Sequence, residues 1–195
     1  MNSCQKAVLN AGVLERGATA YASGSEGNNK LNFDRLFESP LHLETVLRYM
    51  GKAALSYAPD LFIGIPSGGE KLAEKLTDSK HLNLPIAYLK KVDNLPGVKT
   101  FGYKTTDDEK LVLASKRIVL IEDVFRLFTS TRGALAVPGV LERTEVVIAV
   151  WDRGRIDHPA RGILPVPSQA IVNEHIPDYI TPEVYDRIIK CEEAK

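Results

Sequence analysis

Residues 117–124, Arg117-Ile118-Val119-Leu120-Ile121-Glu122-Asp123-Val124, decide the fold. The run Ile118 to Ile121 has no polar alternation, so a strand here must be buried on both faces, as in a parallel sheet covered by helices. Its C-terminal end delivers adjacent acids, Glu122 and Asp123, where ligands bind in open parallel sheets. Neighbouring carboxylates repel unless something cationic or hydroxylic sits between them. They accept hydrogen bonds from sugar hydroxyls and can hold Mg²⁺ directly or through water. A solvated strand end, or a helix start favoured by negative charge, suits the same pair.

Working outward, residues 145–151 (EVVIAVW) read as a further core strand that closes on Asp152-Arg153-Gly154-Arg155. The fork of Arg153 can take a planar carboxylate or a ring edge, or form a structural pair with an aspartate. Upstream, residues 60–65 form a short apolar strand, followed by Pro66-Ser67-Gly68-Gly69 and a helix through Thr77. Glycines after a strand let backbone N–H groups approach an anion at the helix start, and they equally serve an ordinary tight turn. Residues 84–89 are another strand. Residues 90–110 are polar and punctuated by Gly and Pro, which predicts a long mobile loop with a strand at 98–103.

Before these strands, Ser39-Pro40 predicts a helix start, with Leu43, Val46, Leu47, Met50 and Ala54 on its buried face and an end near Ala58. Residues 5–16 read as a helix burying Ala7, Val8, Ala11 and Leu14. The cluster at 24–29 (GSEGNN), flanked by residues 19–22 and 30–33, predicts a hairpin. Beyond Arg155 the chain is proline-rich, and this tail is expected to pack with the hairpin as a hood. The expectation is one domain over residues 1–195, with a core at about 40–155 and a hood at about 1–39 and 156–195.

Lysine plus arginine (25) equals aspartate plus glutamate (25), which argues against a nucleic-acid or membrane partner held by bulk charge. Only Cys4 and Cys191 are present, too few for a disulfide framework or a zinc site. No apolar run approaches the ~20 residues of a membrane span, and the N-terminus lacks the long apolar stretch of a signal peptide. A soluble cytoplasmic protein is expected.

Together these motifs resemble the type I phosphoribosyltransferases, and among them the orotate phosphoribosyltransferase-like branch. The likeness covers about residues 12–155. The strand with Glu122-Asp123-Val124 is similar to the family's motif for 5-phosphoribosyl-1-pyrophosphate (PRPP), residues 64–69 to its pyrophosphate loop, Asp152-Arg153 to its Asp-Arg strand end, and Lys30 to Asp34 to its early substrate-contacting segment. The resemblance implies a central parallel sheet flanked by helices with a small hood. It implies transfer of ribose-5-phosphate from PRPP to a nucleobase, orotate or a related pyrimidine, with Mg²⁺ and in a homodimer with a shared active site. Glu122 and Asp123 would hold the ribose hydroxyls and, indirectly, the metal. Ser67, Gly68, Gly69, Arg126, Thr129, Ser130 and Thr131 would bind PRPP; Lys30, Phe33 and Arg153 would meet the base; Lys90 and Lys91 would act on the leaving group.

The sequence departs from that pattern in places. Read without a gap, Phe128 stands where the family has a glycine that lets the phosphate reach backbone N–H groups, so its ring should fill the phosphate site or push the loop outward. Arg126 and the hydroxyls of Thr129, Ser130 and Thr131 are possible compensations. A register with inserted residues would instead make residues 130–134 the phosphate loop. In the basic loop, Asn94 replaces an expected lysine, with Lys99 and Lys104 as substitutes. These losses also suit an inactive descendant that binds PRPP or a nucleotide in a regulatory role. A receiver- or flavodoxin-like module explains neither the hairpin nor the Asp-Arg strand end.

Overall fold

The computed structural model describes residues 2–21, 25–78, 82–95, 98–154, 158, 161 and 163–190. In chain order the elements are α1 (Ser3–Asn10), β1 (Leu14–Ala20), β2 (Glu26–Leu31), α2 (Asp34–Phe37), α3 (Pro40–Leu55), β3 (Leu61–Gly64), α4 (Gly68–Asp78), β4 (Ile86–Leu95), β5 (Val98–Tyr103), α5 (Thr106–Ala114), β6 (Ile118–Phe125), α6 (Thr129–Leu135), β7 (Thr144–Asp152), β8 (Ser168–Asn173) and α7 (Pro182–Lys190). Arg155, Cys191 and positions 22–24 of the predicted hairpin lie outside the described residues.

A six-stranded sheet runs in the order β5-β4-β3-β6-β7-β8, parallel except for β5, which is antiparallel to β4. The uninterrupted apolar run of β6 follows from helices on both faces. Val119 and Ile121 pack with α1, α3 and α4 residues such as Val8, Met50 and Leu72. Ile118 and Leu120 face the other way, among Val112 of α5 and Ala134 and Leu135 of α6. This is the α/β arrangement expected, with the acid-bearing strand at its centre.

The hairpin of β1 and β2 forms a separate two-stranded sheet. The tail clasps it: Asn28 N–H donates to the Asp178 carbonyl (2.9 Å), Asn28 Nδ2 to that of Ile180 (2.8 Å), and Asn29 Nδ2 to that of Pro177 (2.9 Å). The hood is therefore made from both ends of the chain. Its C-terminal part divides, however, because β8 joins the main sheet beside β7.

Several expectations need correction. The first helix stops at Asn10, since Gly12 takes φ +72°, and Leu14 opens β1 instead of extending the helix. Within the predicted loop at 90–110, the strand expected at 98–103 is present as β5, but it pairs back on a longer β4, and α5 follows, starting in a capping box between Thr105 and Asp108. Ser39 precedes α3 without capping a backbone amide; its Oγ bonds His42 Nδ1 at 2.7 Å.

Candidate active site

The site begins with unequal strand lengths. β3 ends at Gly64, paired with Ile121, while β6 continues to Phe125 alongside β7. Glu122 and Asp123 therefore lie within β6, not at its end, on a stretch whose β3 flank is open. Strand alternation starts them toward opposite sides, yet both line the same cavity and their side chains meet. Asp123 faces the start of α4, where a Cβ on Gly68 would collide with its carboxylate, and Glu122 turns toward the β4–β5 hairpin and is buried, 5% exposed. The Val124 N–H donates to Asp123 Oδ1 at 2.8 Å. Burial, then the adjacent Asp123, hold the Glu122 carboxyl well above the usual carboxylate range.

A cavity of about 250 Å³ opens over this pair. Its walls are Ser67 and Gly68 from the α4 turn, Lys91 and Lys99 from the β4–β5 hairpin, and Leu127 to Thr131 from the start of α6; Tyr21, Lys30, Leu31, Arg126 and Arg153 line the hood end. Lys91 pairs with Phe101 across the hairpin, so it shares a face with Phe101 and Lys99. Lys90, the next residue along, points to the opposite, exposed face and does not line the cavity. Burial, and then the nearby Lys91, hold the Lys99 ammonium below the ordinary lysine range.

The structure gives other predicted residues different surroundings. Gly69 lies against β6 so closely that a Cβ would strike the Ile121 carbonyl, and Gly68 abuts Asp123. Packing already requires both glycines, and Gly68 also lines the cavity. The Pro66–Ser67 peptide is cis. Phe33 is a core residue, 3% exposed and packed with α1 and α3 instead of lining the cavity.

Phe128 has φ +57° and ψ 21°, a left-handed conformation that favours glycine, directly before α6. The backbone keeps a glycine-like shape at the position where the ungapped register puts the family's glycine. The ring borders the cavity. It is buried edge-on to Phe125 (centroids 5.0 Å apart), beneath the Arg161 guanidinium at 4.4 Å. Arg161 is in turn held by both carboxylate oxygens of Asp152.

The arginines of the hood end are engaged by the protein. Arg126 grips Asp178 through Nε (3.1 Å to Oδ1) and Nη2, and stacks 4.3 Å from the Tyr21 ring centroid. Arg153 is 3% exposed, and its Nη2 donates to Asn29 Oδ1 (2.8 Å) and the Ile176 carbonyl (3.2 Å). Lys30 lines the cavity while pairing with Glu15 at 3.2 Å. Tyr21, Asn29 and Asp178 escaped the sequence reading: Asp178 is 52 residues from Arg126, and no local pattern links them.

Among the described residues, no group of three or more His, Cys, Asp or Glu side chains gathers to hold a metal. Two adjacent carboxylates beside an open cavity still fit Mg²⁺, which is commonly held by one or two carboxylates with water and substrate oxygens completing its shell.

No known protein family matches the sequence, and no curated protein does. Solved structures do match. Orotate phosphoribosyltransferase from Aeropyrum pernix aligns over 87% of this chain and 93% of its own at 18% identity, with a TM-score of 0.64. The Mycobacterium tuberculosis orotate phosphoribosyltransferase in complex with inorganic phosphate aligns over 88% and 95% at 15% identity (TM-score 0.58). Adenine phosphoribosyltransferase from Trypanosoma brucei, in complex with AMP, pyrophosphate and ribose-5-phosphate, aligns over 94% and 86% at 15% identity (TM-score 0.59). With its mostly parallel sheet and appended hairpin, this chain has the fold of the type I phosphoribosyltransferases.

Proposed function

We propose that the chain binds PRPP and transfers its ribose-5-phosphate to a ring nitrogen of a nucleobase, orotate or a related pyrimidine. One observation carries this reading: a carboxylate pair on the open flank of the central strand, facing two lysines across one cavity. Carboxylates suit the hydroxyls of a ribose, and lysines suit the anionic diphosphate attached to it. Thr129, Ser130 and Thr131 line the cavity, and hydroxyls suit a 5′-phosphate.

In this reading Glu122 and Asp123 accept hydrogen bonds from the ribose 2′- and 3′-hydroxyls and fix the sugar. The C1–O bond breaks with its electron pair leaving on the diphosphate, while the base nitrogen donates a pair to C1. A proton carried by that nitrogen passes to solvent. Mg²⁺, held through Glu122, Asp123 and ligand oxygens, would supply charge neutralisation on the diphosphate. Tyr21, Lys30 and Leu31 offer the base a ring, a charge and an apolar surface; Arg153 acts by fixing Tyr21 and Asn29.

A second reading, a binding protein that does not turn over, is favoured by the engagement of Arg126 with Asp178 and of Arg153 with Asn29. Calorimetry with PRPP and Mg²⁺, followed by turnover assays with orotate and a panel of bases, separates the two. Binding with turnover is expected. Binding alone selects the second reading, and no binding sinks both.

A further inference from the structure

We infer that a second cavity, framed by α1, the chain just past β8 and α7, binds a small zwitterion: an α-amino acid with an apolar side chain. The cavity measures about 550 Å³, within the usual range for small-ligand sites. None of its lining residues belongs to the acid-pair cavity, so the inference stands apart from the PRPP reading.

One wall is held by backbone bonds to the end of β7. The Glu174 N–H donates to the Asp152 carbonyl (3.1 Å), and the Glu174 carbonyl accepts from Trp151 Nε1 (2.8 Å). His175 Nδ1 bonds the Arg153 carbonyl at 2.8 Å. The other wall is α7, tied to β1 by Tyr185, whose Oη donates to the Leu14 carbonyl at 3.1 Å. No residue of α7 is fully buried. Val184, Arg187 and Ile188 share one of its faces by their spacing, and all three line the cavity.

Gln5 of α1 carries the inference. It is only 8% exposed, it lines the cavity, and its Nε2 donates to Glu174 Oε2. An ionised carboxylate only accepts, so the bonded atom is the amide nitrogen. The Gln5 Oε1 is then an acceptor without a partner among the described residues. A polar group this buried costs stability until a donor reaches it. His175 adds a second acceptor. The Arg153 carbonyl also only accepts, so Nδ1 carries the proton and Nε2 of the neutral ring offers its lone pair.

The α7 wall has the opposite character. Arg187 has no carboxylate partner among the described residues and does not pair with Glu174, although both line the cavity. Val184 and Ile188, with Pro177, supply apolar surface. An ammonium brings three donors to Gln5 Oε1, the Glu174 carboxylate and His175, while the fork of Arg187 takes a carboxylate in two parallel bonds. An apolar side chain covers Val184 and Ile188. A plain amine leaves Arg187 unmet, and a plain carboxylate brings no donor to Gln5.

Calorimetry on the full chain with L-leucine is the test. Saturable binding at a single site is expected. Two probes, 3-methylbutan-1-amine without the carboxylate and 4-methylpentanoate without the ammonium, should bind about 10- to 100-fold more weakly, as for a lost charged hydrogen bond. Arg187→Met and Glu174→Gln, both at exposed positions, should weaken leucine by a similar factor, and thermal melting checks that they fold. A wild-type chain that binds no leucine overturns the inference, as does equal binding of the three probes. Unchanged leucine affinity in folded Arg187→Met overturns it too. Leucine binding lost in a folded Asp123→Asn chain would place the ligand in the acid-pair cavity, which also overturns it.

Discussion

Replacing Phe128 by glycine and by alanine tests the loop beside the acid pair. Both changes delete a ring that is 7% exposed, set 5.0 Å from Phe125 and 4.4 Å from the Arg161 guanidinium. Loss of such a ring should destabilise each variant by about 3–5 kcal/mol. The variants differ in backbone alone. At φ +57° a residue with a Cβ carries about 1–2 kcal/mol of strain that glycine escapes. Glycine loses about 0.4–1 kcal/mol through the greater freedom of its unfolded chain. The difference favours glycine by about 0.8 kcal/mol, the reverse of the usual order in and around helices. Urea denaturation should show it as a midpoint about 0.3 M higher for Phe128→Gly than for Phe128→Ala. An alanine variant as stable as the glycine variant would refute a left-handed backbone at this position. PRPP affinity should not rise in Phe128→Gly, since the ring lies against Phe125 and Arg161; a clear gain would mean that it obstructs the phosphate.

Glu122→Gln should alter the pH dependence of stability in the ligand-free chain. A carboxyl held above its ordinary value of 4.5 contributes stability that is present below that value and lost as pH rises toward its folded pKa. The variant should therefore gain on wild type by up to about 1.4 kcal/mol per pH unit above pH 4.5, and a pH-independent difference in urea denaturation would count against the buried acid. Gly69→Ala meets a backbone carbonyl and should destabilise the fold by about 3 kcal/mol. Gly68→Ala meets the movable Asp123 side chain instead, so its melting point should fall less while PRPP affinity falls about tenfold; equal melting points for the two variants would contradict these contacts. Asp178→Ala removes the bidentate partner of Arg126 and should reduce stability by about 1–3 kcal/mol, with faster proteolysis of the β1–β2 hairpin. Unchanged proteolysis would show that backbone contacts alone hold the hood.

Legibility in the sequence followed the physics of each segment. β6 and β7 are buried on both faces, so Ile118–Ile121 and Val146–Trp151 announce themselves as unbroken apolar runs. The α3 face was equally plain, because Val46, Met50 and Ala54 repeat at helical spacing. At 86–103 both strands were legible, at 84–89 and 98–103, but not the extension of β4 that pairs them, because Lys90, Lys91 and Val92 are exposed and carry no apolar period. β8 is a half-exposed edge strand of six residues after a proline-rich stretch, without enough buried side chains to show a period. At the site, Glu122 and Asp123 were readable from their strand, and the surroundings of Arg126 and Arg153 were not. Their partners Asp178 and Asn29 lie 52 and 124 residues away. Even the strand end was misjudged, since the boundary depends on how far β7 runs beside β6.

The clasp between Asp178 and Arg126 also sets an order of assembly. Synthesis proceeds from the N-terminus, and structure forms as chain emerges. The sheet from β5 through β7 has all its residues once Asp152 has been made, and the acid pair with it. The hood-side wall must wait, because Tyr21, Asn29, Arg126 and Arg153 are joined by residues 176–178. Until those arrive, Arg126 lacks its carboxylate partner and the hairpin lacks the carbonyls that anchor Asn28 and Asn29. The nascent protein therefore acquires the lysines and acids of the cavity first, and the hood-side wall last.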